Sequence, residues 1–117
     1  MHETQASYLL EEGAEAVKTI RDGSWATISN LTVGTTYYLS YNTSTNAWSL
    51  STTANTIDNF FTRKVMLTAV NRDANEDIAA SGNPDTRTKE VSVTVTWPYS
   101  GTTISKTLSF YLADIFS

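Results

Sequence analysis

The sequence predicts an α+β fold: an N-terminal amphipathic helix packed on an antiparallel β-sheet of about four to five strands. Residues 6–22 carry apolar side chains at helical spacing. Residues 90–97 alternate strictly, with Val91, Val93, Val95 and Trp97 on one face and Ser92, Thr94 and Thr96 on the other. Everything after residue 22 reads as strands and turns.

The helix comes first. Leu10, Ala14, Val17 and Arg21 fall on one row, and Leu9, Gly13, Ala16 and Ile20 on the adjacent row, giving an apolar face wide enough to lie on a sheet. Glu11, Glu12 and Glu15 stand early and Lys18 and Arg21 late, which suits the helix dipole. Gly23 supplies the stop. Gly13 costs about 1 kcal/mol against Ala in mid-helix, and with Ala14 and Ala16 it forms a smooth patch open to close approach by another backbone.

Residues 25–31 read as a connector that buries Trp25, Ile28 and Leu31. Residues 37–41 and 47–50 form a hairpin candidate around the polar turn 42–46, and residues 51–59 a Ser/Thr/Asn-rich loop. A long strand over 61–70 places Phe61, Val65, Leu67 and Ala69 on one face, with Arg63 interrupting it. Residues 71–88 read as a polar loop too long for a simple turn. The valine strand then turns at residues 98–101 into a last strand, 104–112, whose Ile104, Leu108, Phe110 and Leu112 share a face. The valines, Leu108, Phe110 and the helix stripe make up the expected core. The 117 residues suit one domain, 1–117, with a helix stem over 1–22 and a β-sheet globular part over 23–117.

Composition narrows the function. With 40% hydrophobic and 17% charged residues the chain can bury a core. A net charge of −4 argues against nucleic acid or an anionic membrane as the main partner, since both require a basic patch. The absence of Cys removes disulfides, thiolate nucleophiles and Cys-based zinc sites. The one histidine, His2, lies at a terminus prone to fraying, so neither a Ser-His nor a Cys-His nucleophile system can be assembled. A carboxylate pair such as Asp73 with Asp77 or Asp85 has nothing in the sequence to orient it. No enzymatic activity is expected.

The order of segments resembles the soluble part of a bacterial type IV pilin-like protein, a minor pilin or pseudopilin. The likeness runs from Ala6-Ser7-Tyr8-Leu9-Leu10-Glu11-Glu12-Gly13 to Ile20-Arg21-Asp22, through Trp25, Gly34-Thr35-Thr36-Tyr37-Tyr38-Leu39 and Trp48. It continues over Phe61-Thr62-Arg63, Val70-Asn71-Arg72-Asp73, Asp85-Thr86-Arg87-Thr88-Lys89, the valine strand and Leu108-Ser109-Phe110-Tyr111-Leu112. The family opens on an apolar membrane helix after a processing site, Gly then Phe-Thr-Leu-Ile-Glu; this chain has neither, as if that segment had been removed. Many pilins also close their C-terminal region with a disulfide, for which strand pairing or a bound ion would substitute here.

The resemblance implies a structural subunit of a pilus or type II secretion-like filament, anchored in the inner membrane through the missing segment and then assembled at the cell surface with other pilin-like subunits. It implies that neighbours meet the patch Gly13, Ala14 and Ala16 and the charged ridge Glu11, Glu12, Glu15 and Lys18. A plain core helix with a solvated acidic face stands beside that reading.

Two constellations remain. Asp73, Asn75 and Asp77 alternate as oxygen ligands for calcium do, and resemble the opening of an EF-hand loop, although Ile78 and Pro84 stand where that loop needs Gly and Glu. The alternative is a hydrated loop whose Asx side chains bond their own backbone. Tyr37, Tyr38, Tyr41, Trp48 and Tyr99 raise the second function considered, an extracellular adhesive or glycan-binding domain that stacks exposed rings on a surface glycan; the alternative is rings packed across strands.

Overall fold

A computed structural model describes residues 2–75 and 77–113. Helix α1 spans His2–Gly23 and a five-residue helix α2 spans Trp25–Ser29. Six strands follow: β1 Tyr38–Asn42, β2 Ala47–Ser51, β3 Thr62–Arg72, β4 Ile78–Ala79, β5 Asn83–Tyr99 and β6 Thr102–Ala113. All their pairings are antiparallel. They form a four-stranded sheet of order β4-β3-β5-β6 and a separate β1-β2 hairpin.

This corrects the expected architecture. The chain is only roughly α+β, being mostly β. Its strands divide between two sheets instead of filling one of about four to five strands, and the arrangement does not strongly match the pilin fold. The division has a local cause. Tyr37 exchanges both backbone hydrogen bonds with Val65, each 2.8 Å, and pairing with β3 stops there. From that bridge β1 turns inward, burying Leu39, and pairs only with β2.

The other corrections concern boundaries. The connector over 25–31 contains α2, which buries Ile28. The stretch 71–88 is mostly strand: β3 runs on to Arg72 and β5 begins at Asn83, with a register shift between Ala69 and Val70. Pro98 and Tyr99 belong to β5, and the turn is the pair Ser100-Gly101, both with positive φ (50° and 80°). Two such residues in succession are the backbone of a two-residue hairpin, and only the second is glycine.

The core forms where α1 crosses the inner face of the larger sheet. Ala6, Leu9, Leu10, Ala16 and Val17 meet Val65, Leu67, Val91, Val93, Val95, Trp97 and Leu112, with Ile28, Tyr37, Leu39 and Phe61 closing the margins. The outer face of β3, β5 and β6 is hydroxyl-rich. Ser92 and Ser109 pair at 3.1 Å, as do Thr94 and Thr107. Leu108 corrects another expectation: it faces α1 from the sheet edge but stays 36% exposed, because the helix does not cover that edge completely.

Candidate functional site

Helix α1 is held by one buried cation. Arg63 lies on the core-facing row of β3, between Phe61 and Val65, and is 4% exposed. Its Nη1 donates to the carbonyl of Leu9 at 3.1 Å and to Glu12 Oε1 at 2.8 Å. Its guanidinium carbon lies 5.5 Å from the centre of the Trp48 ring. Arg63 Nε has no hydrogen-bond partner among the described residues. One side chain thus ties together the helix, the larger sheet and the hairpin. A charge this deep is tolerated because it is paired, hydrogen-bonded and covered by a ring.

Gly13 makes room for it. A Cβ at Gly13 would come within 2.9 Å of Val93 Cγ1 and 3.1 Å of Arg63 Cδ. Gly13, Ala14 and Ala16 are all buried within the chain, Gly13 against Val93 and Arg63 of the larger sheet. The close approach that these small residues permit is therefore intramolecular. Of the charged ridge, Glu12 is engaged by Arg63, while Glu11 and Glu15 are exposed and Lys18 is half-buried, its Nζ 3.6 Å from Glu15 Oε1. Tyr8 is 65% exposed and, with Thr4, Gln5, Leu9, Asp58 and Phe61, lines a shallow groove of about 300 Å³ beside the helix.

The calcium candidates hold a turn. Asp73 Oδ1 accepts the backbone N–H of Asn75 at 2.8 Å and of Asp77 at 3.1 Å, and the N–H of Asp73 donates to the carbonyl of Asp77 at 2.8 Å. That is an Asx turn closed on itself. Among the described residues no group of three or more His, Asp or Glu side chains is placed to hold a metal ion.

The neighbouring Asp85 organises the bulge in β5. It accepts from Arg72 Nε at 2.6 Å and from the backbone N–H of Arg87 at 2.9 Å. The Arg72 hydrogen bond, then that of Arg87, lowers its carboxyl from 3.8 to about 2. A hollow of about 290 Å³ bounded by Arg72, Asp73, Asp85 and Arg87 lies over this pair.

The aromatic side chains do not form one platform. Tyr37 is buried, and its hydroxyl accepts the backbone N–H of Thr32 at 2.8 Å. Tyr38 is half-buried. Trp48 covers Arg63 and meets Tyr41 edge-on at 5.2 Å on the hairpin. Tyr99 is 57% exposed at the far end of β5. His2 rests on Phe60, ring centres 4.6 Å apart.

Sequence reasoning placed Arg63 as an interruption of an apolar face and missed that it organises the fold. The signal was present: an arginine in register with the core residues of a strand needs a buried acceptor, and Glu12 stands beside the apolar rows of the helix.

No helix among the described residues is long and apolar enough to cross a membrane. Comparison of the chain with protein-family models, with curated proteins and with solved structures finds no match.

Proposed function

We propose that this domain is a structural subunit of a bacterial type IV pilus or type II secretion-like filament and assembles through its N-terminal helix. The observation that carries the reading is the fixation of α1. A buried arginine from the start of β3 seizes both the main chain and a side chain of the helix, at Leu9 and Glu12. The opposite flank remains free, with Tyr8, Glu11 and Glu15 exposed along it. A helix held this firmly on one side and left open on the other suits a stem that neighbouring subunits pack against. The resemblance of the segment order to pilin-like chains supports the same role. On this reading the partners are other pilin-like subunits, and the site of action is the cell surface after anchorage in the inner membrane.

The test is the mass and N-terminal sequence of the native protein isolated from its source cell. An apolar helical extension ahead of Ala6 with a methylated first residue is expected. A native chain beginning at Met1 overturns the reading, and turns attention to glycan arrays probed with the Tyr41 and Trp48 hairpin.

A further inference from the structure

We infer that the free edge of β6 is a self-association surface, on which a second copy of this chain adds its own β6 antiparallel about a two-fold axis at Thr107. This inference goes beyond the filament reading and stands on a different surface.

The two edges of the larger sheet are treated differently. The β3 edge is covered by β4 at Asn71 and Arg72, by Tyr37 at Val65, and by the N–H of Gly34 donating to the carbonyl of Leu67 at 3.0 Å. The β6 edge, 12 residues long, pairs with nothing among the described residues. Its ladder with β5 runs unbroken from Thr88↔Ala113 to Tyr99↔Thr102. The strand contains no proline, no glycine and a single charge, Lys106. Proline, a bulge and a short length are devices by which edge strands avoid pairing, and β6 has none of them; the one such device it carries is Lys106 on the inner face.

The sequence of β6 identifies the partner. Around Thr107 it is self-complementary: Ser105 would face Ser109, Lys106 would face Leu108, and Ile104 would face Phe110. The outer face would extend the hydroxyl pairs already formed by Ser92 with Ser109 and Thr94 with Thr107. On the inner face, the methylene stem of Lys106 would cover the partner copy's exposed Leu108, and the two lysines would not oppose each other.

The helices are complementary in the same arrangement. Glu3 of α1 lies 3.9 Å from Lys106 near one end of β6, and Lys18 lies 5.4 Å from the Phe110 ring near the other. The two-fold operation reverses that order. It brings the Glu3 end of one helix beside the Lys18 end of its copy, with antiparallel helix dipoles. Backbone pairing, side-chain register and helix charge therefore select the same symmetric partner, as an isologous interface requires.

Because the chain has no native cysteine, the register can be read by cross-linking. Directly opposed residues in an antiparallel pair have Cα atoms about 4.5–5.5 Å apart, within the roughly 4.4–6.8 Å that a disulfide spans. Thr107→Cys should oxidise to a covalent dimer faster than the turn control Ser44→Cys. Ser105→Cys alone should not, since the two copies of that residue would be offset by four positions, about 13 Å. A mixture of Ser105→Cys and Ser109→Cys should give the mixed dimer. Sedimentation of the unmodified protein across a dilution series should reveal a species of twice the 12.9 kDa chain mass, and Thr107→Lys should abolish it while leaving the far-UV circular dichroism spectrum that of the folded chain. A monomer at every concentration, Thr107→Cys reacting no faster than the turn control, or a dimer that survives Thr107→Lys overturns the inference. Should Thr107→Lys unfold the chain, the Ser105 and Ser109 mixture decides alone.

Discussion

Arg63 and Glu12 meet at 2.8 Å although 51 residues separate them, and the guanidinium end of the pair is almost completely enclosed while the carboxylate reaches solvent. The asymmetry determines what each substitution does. Glu12→Ala leaves a buried cation with only the Leu9 carbonyl and the Trp48 ring, and should cost about 1–3 kcal/mol. Arg63→Met removes the charge while keeping much of the volume, and should cost less than Arg63→Ala, which also leaves a cavity. A double-mutant cycle in urea should give a coupling of at least about 1 kcal/mol between Glu12 and Arg63. A coupling near zero would mean that packing alone holds the helix.

Gly13 sets helix propensity against space. In an exposed helix, Gly→Ala gains about 1 kcal/mol. Here the new methyl meets Val93 Cγ1 at 2.9 Å, on a β-branched side chain buried on all sides, and Arg63 Cδ at 3.1 Å on a side chain fixed at its tip. Overpacking of this kind costs about 1–3 kcal/mol. Gly13→Ala is therefore expected to lower stability by about 1 kcal/mol, and Gly13→Val by more. A rise in melting temperature for Gly13→Ala would show that the helix can lift away from Arg63.

Val17 and Leu108 should separate in a truncation series. Val17 is wholly buried under the sheet, whereas Leu108 keeps 36% of its surface in water. At a dilution where the chain is monomeric, Val17→Ala should cost about 2 kcal/mol and Leu108→Ala about half as much, although leucine loses the larger group. Equal costs at higher concentration would indicate that something covers Leu108 in solution, as pairing at the β6 edge would.

The helix and the long strands were legible because their apolar residues recur at 3.6 and 2 positions over many residues, as with Leu9, Leu10 and Val17 or Val91, Val93 and Val95. The division into two sheets was not, because it depends on where pairing stops. The bridge at Tyr37 leaves no mark that distinguishes a hairpin continuing a sheet from one standing beside it. The segment 71–88 misled for a related reason: its polar residues supply strand pairing at Asn83, Pro84 and Asp85 that periodicity does not detect. At Gly13 the residue type announced a close approach, but only the fold shows that the approaching groups are the Val93 and Arg63 side chains.

Asp85 makes the acid limb of stability specific. Its carboxyl is held at about 2, mainly by Arg72, against an ordinary value of 3.8. A carboxylate with a lowered folded-state value stabilises the fold fully above about pH 4, and that contribution is lost as the pH falls toward 2. Asp85→Asn should therefore lower the melting temperature at neutral pH and flatten its fall between about pH 4 and pH 2. Parallel curves for the two proteins would place the acid sensitivity elsewhere.

Trp48 distinguishes a structural ring from a binding ring. It lies half-buried on β2, edge-on to Tyr41 and across the guanidinium of Arg63. A ring that only met ligand could be removed without loss of stability. Trp48→Ala instead exposes Arg63 to water on its hairpin side, removes a cation–π contact worth about 1–2 kcal/mol and loses the burial of part of an indole. The expected cost is about 2–3 kcal/mol, with Trp48→Phe recovering most of it. The loss should shrink in an Arg63→Met background, where no cation remains beneath the ring. Unchanged melting for Trp48→Ala, together with lost retention on a polysaccharide column, would instead make the hairpin a glycan-binding surface and Arg63 incidental to it.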